Sequence, residues 1–202
     1  MKKQRHIIAG ILFLLLANLA NAQNQASEAV NRIVQSFRNH DNMEMDFTYH
    51  YVSEPANVSD EMEGKAYLQG EAYKVLLTDQ QTISDGTTIW SYLVNDEEVM
   101  VSSATEGSDN TPLKLINTLD RDYTARALNG STIELTNPNG EFKKVVLTLG
   151  SLGALSSMEV HADDGSRMVI TFTEIKFDQN LGEGFFTFDQ SAHPSVEIID
   201  MR

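Results

Sequence analysis

The chain has 202 residues, no cysteine, and 29 Asp and Glu against 15 Lys and Arg, for a formal charge of −14. The lack of cysteine excludes disulfides, thiolate metal sites and a Cys nucleophile, and the acidic excess argues against nucleic-acid backbones and anionic headgroups as partners. A chain of this length suits a single domain around one core.

Residues 1–22 read as a cleaved signal peptide. Lys2, Lys3 and Arg5 form a positive start, Ile7 to Leu19 an apolar run, and Ala20-Asn21-Ala22 a small-x-small cleavage site. The run of about 13 residues falls short of the roughly 20 that span a bilayer. No cysteine follows the cleavage site, so the pattern is not that of a lipoprotein signal. A mature, soluble chain beginning near Gln23 would carry 12 basic against 29 acidic residues, a charge of −17. That surface suits plain solubility, and equally a protein that must pass between membranes without adhering to them.

Gln25 to Asn39 has apolar residues at helical spacing: Ala26, Ala29, Val30, Ile33, Val34 and Phe37. This predicts an amphipathic helix lying on one side of a sheet. From residue 44 the period becomes two. Met45, Phe47, Tyr49 and Tyr51 alternate with Asp46, Thr48 and His50 up to Pro55, and a polar loop is expected over Asn57 to Glu61. Met62, Ala66 and Leu68 share one face of the next strand. Gln69-Gly70-Glu71 breaks it, and Tyr73, Val75 and Leu77 share a face of the strand after that. Thr82 to Ser84, a tight turn at Asp85-Gly86, whose two residues are expected to supply the positive backbone dihedrals of a hairpin, Thr87 to Val94 and Glu98 to Ser103 extend the meander.

A polar loop over Glu106 to Asn110 precedes a short predicted helix, Thr111 to Leu119, with Thr111 as N-cap and Pro112 in its first turn. Five more strands follow: Asp122 to Leu128, Thr132 to Asn137, Phe142 to Leu149, Leu155 to His161 and Arg167 to Phe177. Asn129-Gly130, Asn139-Gly140 and Asp164-Gly165 mark turns between them. Phe185, Phe186 and Phe188 are expected in the core rather than in a site, and Val196 to Asp200 closes the chain as a strand. There is no linker, repeat or low-complexity block.

Chemical signatures are missing. His40, His50, His161 and His193 are dispersed, with no metal-ligand spacing. His161-Ala162-Asp163-Asp164-Gly165 reads as a strand end entering a turn, since the other acidic positions of a calcium loop are absent. No Gly-rich phosphate loop and no Gly-x-Ser-x-Gly elbow occurs. Nothing singles out a catalytic pair among the carboxylates.

Five segments in order resemble the periplasmic outer-membrane lipoprotein carriers, the LolA family. They are Phe47-Thr48-Tyr49, Gly64-Lys65-Ala66-Tyr67-Leu68, the hairpin Ser84-Asp85-Gly86 to Trp90-Ser91-Tyr92, the segment Asn110-Thr111-Pro112-Leu113-Lys114-Leu115-Ile116, and Phe186-Thr187-Phe188 followed by Val196-Glu197-Ile198-Ile199-Asp200. One departure stands out. Where the family carries a basic-Pro pair before an aromatic strand, this chain reads Gln69-Gly70-Glu71-Ala72-Tyr73-Lys74-Val75. Gly70 replaces an Arg that, in the family, helps hold the lid helices and release cargo.

The resemblance implies a mainly β (α+β) fold over residues 23–202: a single incomplete antiparallel β-barrel, a half-barrel, with helices covering the concave face. It implies a periplasmic chaperone that binds the acyl chains of lipoproteins in an apolar cavity and shuttles them from the inner to the outer membrane. Its partners would be acylated lipoproteins, an inner-membrane release complex and an outer-membrane acceptor. A monomer without catalysis, cofactor, metal, nucleic acid or stable membrane insertion is expected. The alternative is a lipid- or lipoprotein-sensing regulatory module on the same fold, and an enzyme using scattered carboxylates ranks third.

Strand parity then nominates the cavity lining: Phe47, Tyr49 and Tyr51; Met62 and Leu68; Tyr73, Val75 and Leu77; Trp90 and Tyr92; and, from the short helix, Leu113 and Ile116. A sheet face looks alike whether it meets lipid or the protein's own helix, so ordinary core stays open for each. Ile89 and Leu93, opposite Trp90 and Tyr92, are apolar as well, which leaves open which set points inward.

Overall fold

The computed structural model of the protein describes residues 23–104, 115–140 and 142–202. Helix α1 spans residues 23–38 and buries the apolar stripe the spacing predicts, with Ala26, Val30, Ile33, Val34 and Phe37 all at most 4% exposed. Burying its four large side chains removes about 1.5–3 kcal/mol of hydration cost each, which is why this short helix holds only against a partner surface.

That surface is one sheet of twelve strands in the order β12-β6-β5-β4-β3-β2-β1-β11-β10-β9-β8-β7. The strands are β1 Met43–Ser53, β2 Val58–Gln69, β3 Ala72–Leu77, β4 Gln80–Ser84, β5 Thr88–Leu93, β6 Glu98–Ser103, β7 Thr124–Ala127, β8 Thr132–Thr136, β9 Lys144–Leu149, β10 Leu155–His161, β11 Ser166–Phe177 and β12 Glu197–Asp200. Two antiparallel meanders, β1 to β6 and β7 to β11, join where β1 pairs with β11. The edges β12 and β7 do not meet, so the barrel is incomplete, as the resemblance implies. A 3-10 turn, Ile116–Thr118, and a one-turn helix α2, Leu119–Asp122, lie between β6 and β7. They bury Ile116 and Leu119 in the core under α1. The predicted loop at Glu106 to Asn110 and the start of the predicted helix at Thr111 lie outside the described residues, as does the segment 1–22.

Two local expectations are corrected. The segment from Val58 to Glu61 is strand, not loop, because β1 and β2 pair to the tip, Ser53 opposite Val58. Residues 58–61 are all exposed, so no apolar alternation announced the strand. Asp85-Gly86 is not a two-residue turn with both positions at positive φ; only Gly86 is, at +91°. Asp85 instead accepts at Oδ1 from the Thr87 amide (2.8 Å), the Thr87 hydroxyl (2.8 Å) and the Thr88 amide (2.7 Å). Asn129, Asn137 and Asp164 accept amides two residues on in the same way, so, with Asp85, four of the hairpin turns are held by Asn or Asp side chains.

After β11 the chain crosses the face opposite α1. There Phe185 meets Tyr67 edge-on with ring centres 4.8 Å apart, and Phe188 meets Tyr92 at 5.6 Å. This crossing lets β12 pair parallel to β6 and builds a second, smaller core of Tyr92, Val99 and Val101 beneath Phe188 and Val196.

Candidate functional site

Side chains directly opposite one another on paired strands share a face, so register decides which nominated residues meet. Tyr49 faces Met62, Phe47 faces Gly64, and Met43 faces Leu68. Leu68 faces Tyr73, Ala66 faces Val75, and Gly64 faces Leu77. Phe47, Tyr49, Tyr51, Met62, Leu68, Tyr73, Val75 and Leu77 therefore line one face, the one α1 covers, and Ile116 joins the same core at 2% exposure. Leu113 lies outside the described residues.

Trp90 and Tyr92 do not belong with them. Val75 pairs with Thr82 and Thr82 with Ser91, so Ile89, Ser91 and Leu93 point to the α1 face and Trp90 and Tyr92 to the other. The physical reason is the returning C-terminal segment. Phe188 and Val196 offer the outer face of β5 and β6 an apolar layer of its own, which the local alternation of this strand could not reveal.

The inner face is divided. On the β8 to β10 side Leu135, Val145, Leu147, Met158 and Val160 are fully sealed, each 0% exposed. Toward β1 to β6, Tyr49, Tyr51, Met62, Val75 and Leu77 are only half-buried, and so are Leu93, Met100 and, on β11, Met168. Sequence reasoning did not nominate Met100 or Met168, although both alternate correctly within their strands. Among the described strand residues, charged side chains on this face occur only toward its far end, at Asp60, Glu98 and, opposite Glu98 on β12, Glu197. Burial, then the neighbouring Tyr51 and Asp60, pushes the Tyr49 phenol up, so it stays neutral. The charges lie outside: Lys65 sits 2.7 Å from both Glu44 and Asp46 on the opposite face, and its hydrogen bonds, first to Asp46 and then to Glu44, raise its pKa.

Gly64 explains one motif position. A Cβ there would stand 2.5 Å from Phe47 Cζ and 2.8 Å from Leu77 Cδ2, so the glycine is where the Phe47 ring lies across β2.

At the end of the sheet where α1 finishes, a cleft of about 340 Å³ opens between α1, the β2–β3 turn and the α2 region. Phe37, Met43 and Leu68 form its apolar floor, and Arg38, His40, Glu71 and Arg121 stand around it with Gly70. Arg38 donates from Nη2 to the Asn117 carbonyl (2.6 Å) and grips Asp120 with both terminal nitrogens, which ties α1 to the α2 region. A separate depression on the outer side, near the β1–β11 bulge, is lined by Asp46, Thr48, Glu63 and Glu174 and is acidic.

The family model described as outer membrane lipoprotein carrier protein LolA matches residues 39–189. The chain belongs to the LolA family. Among solved structures, an uncharacterized conserved protein from Thermus thermophilus has the same fold: TM-score 0.53 and 12% identity, covering 87% of this chain and 99% of that one. Weaker likeness extends to a LolA superfamily protein from Nitrosomonas europaea (TM-score 0.44, 13% identity, 81% and 97% covered). The lipoprotein LppX from Mycobacterium tuberculosis is similar at TM-score 0.45 and 10% identity, with 79% and 99% covered. No curated protein matches the sequence significantly.

Within this LolA-family chain the departure at Gly70 acquires a structural context. Gly70 occupies the β2–β3 turn at φ +57° and lines the same cleft as Arg38. The guanidinium at this cleft that grips the α2 region thus comes from the end of α1 rather than from the β2–β3 turn.

Proposed function

We propose that this protein shelters the acyl chains of lipoproteins on the half-open part of its inner face and carries them from the inner to the outer membrane. The observation that carries the reading is an uncharged row of half-buried apolar side chains, Tyr49, Val75 and Leu77 packed against the sealed core and Met62 opposite Tyr49, set in a fold of the lipoprotein-carrier family. Each methylene left in water costs about 0.8 kcal/mol, so a triacylated cargo cannot cross an aqueous compartment unaided. Transfer from one apolar lining to another is close to thermoneutral and asks for no catalytic group. Tyr49, Tyr51, Met62, Val75 and Leu77 would touch the chains first, while Phe47, Leu68, Tyr73 and Ile116 form the floor beneath them.

The N-terminal signal pattern supports export to the periplasm, and no helix among the described residues is long and apolar enough to cross a membrane. In the cycle we infer, a release complex loads the open row at the inner membrane and an acceptor empties it at the outer membrane. Arg38 acts as the tie between α1 and the α2 region that must loosen for the row to widen.

Mass spectrometry of gently purified protein tests the reading. Co-purified lipoprotein supports the carrier. Free lipid alone would replace it with a lipid-sensing module, and Leu77→Glu leaving recovery of bound acyl chains unchanged would remove the site.

A further inference from the structure

The β9–β10 hairpin ends in Gly150-Ser151-Leu152-Gly153-Ala154, and Leu152 there is wholly exposed at 107%, with φ +58° and ψ +17°. A leucine rarely enters that left-handed region, which Gly or Asn adopts more readily. Its side chain therefore carries backbone strain and full hydration together. Leu128, 47% exposed, stands at the β7–β8 turn beside it. The two turns are neighbours because β8 pairs with β9 and the Leu149 amide donates to the Ser131 carbonyl at 2.7 Å. Two strand spacings put their centres about 10 Å apart.

The sequence around both tips is unusual for so acidic a protein. Residues 127–133 and 145–158 contain no charged side chain, in a chain that is 22% charged. The tip backbone is largely satisfied internally, with Gly150 N–H to the Ala154 carbonyl (2.8 Å), Ala154 N–H to Ser151 (3.2 Å) and Leu128 N–H to Thr132 (2.9 Å). Entry into a low-dielectric medium demands both properties, because an unpaired peptide group or a charge is expensive there. A protein partner would ask for less, because its own polar groups can pair with exposed peptide groups and charges, which hydrocarbon cannot do. Strand direction places the tips at the same end of the sheet as the cleft floored by Phe37, Met43 and Leu68.

We propose that Leu128 and Leu152 are a membrane-touching pair, which dips into the headgroup–acyl boundary of a bilayer and turns the cleft end of the molecule toward it. Two leucines give a weak, reversible contact, and the acidic remainder of the surface resists fuller adsorption to anionic lipid. The inference extends the carrier reading but is measured apart from it.

The chain has no cysteine, so Leu152→Cys takes a single nitrobenzoxadiazole label. Addition of neutral phosphatidylcholine vesicles should shift its emission to the blue. Vesicle co-sedimentation of the unlabelled protein should fall about tenfold for each of Leu128→Ser and Leu152→Asn. Asn suits the backbone at 152, so unchanged thermal melting should accompany the loss. Binding of a fluorescent fatty acid to the same variants reports the inner face separately and should not change. An unshifted label, or co-sedimentation unaffected by both substitutions, overturns the proposal whatever the fatty-acid result.

Discussion

Arg38 and Asp120, 82 residues apart in sequence, meet as a two-pronged pair with Nη1 2.7 Å from Oδ2 and Nη2 2.9 Å from Oδ1. Arg38 Nη2 also reaches the Asn117 carbonyl, so one side chain spans α1 and the α2 region. The planar fork makes the contact specific to arginine. Arg38→Ala should cost about 1 kcal/mol in urea unfolding, as expected for a partly exposed charge-assisted pair. It should also speed amide hydrogen exchange across residues 115–122. Arg38→Lys should restore only part of either effect. Unchanged exchange in that segment would show that the pair does not hold the helices together.

Gly64 should not tolerate a side chain while Phe47 keeps its place. Because the added Cβ would meet the ring at 2.5 Å, Gly64→Ala is expected to destabilise by about 1–3 kcal/mol. Phe47→Leu in the same molecule should recover part of that loss. A double-mutant cycle by urea denaturation measures the coupling, and strictly additive losses would mean that the close approach is relieved elsewhere.

The two faces should respond differently to substitution. Leu77→Glu, on the half-buried row, is expected to abolish binding of a fluorescent fatty acid while the melting transition stays cooperative. Tyr92→Ala, on the outer face at 6% exposure, is expected to lower stability by about 3 kcal/mol and leave fatty-acid binding intact. Melting curves and probe titrations on both variants separate the outcomes, and loss of binding with Tyr92→Ala would contradict the face assignment.

Acid should weaken the Asp-based turns. At Asp85 burial pushes the carboxyl up, but hydrogen bonds from the Thr88 and Thr87 amides and the Thr87 hydroxyl outweigh it, and the net shift is downward. Hydrogen bonds from Ser166 and Ser191 lower Asp164 and Asp189 in the same sense, their hydroxyls contributing most. A carboxylate with a lowered folded pKa contributes stability that is complete above its unfolded value, about 3.9. That stability is lost as pH falls through the folded value. Urea midpoints should therefore decline below about pH 4, and Asp85→Asn should flatten the decline while lowering the plateau.

Much of the fold was legible because its signals are local. The stripe from Ala26 to Phe37 has helical spacing, and β1 from Met45 to Tyr51 has period two. The Asx-Gly pairs mark reversals because short polar side chains can bond to the backbone beside them. Local alternation also grouped Phe47, Tyr49, Val75 and Leu77 on one face, and the register carries that parity across both turns from β1 to β3. The same reading placed Trp90 and Tyr92 on that face because Ile89 and Leu93 are equally apolar, and no neighbour in sequence breaks the tie. Val58 to Glu61 was missed for a related reason: a hairpin tip solvated on both faces has no pattern to display.

Residue order alone suffices for most element types and turn positions, for the apolar stripe of α1 and for the acidic, cysteine-free character of the chain. All of these follow from short-range backbone and side-chain chemistry. Which side of β5 is inner was set only on assembly, because it depends on Phe188 and Val196 returning from the far end of the chain to cover Tyr92. The reach of Arg38 to Asp120 and the parallel pairing of β12 with β6 arise in the same way. Each is a contact between segments remote in sequence, settled by which apolar layer lies on each face once the sheet has formed.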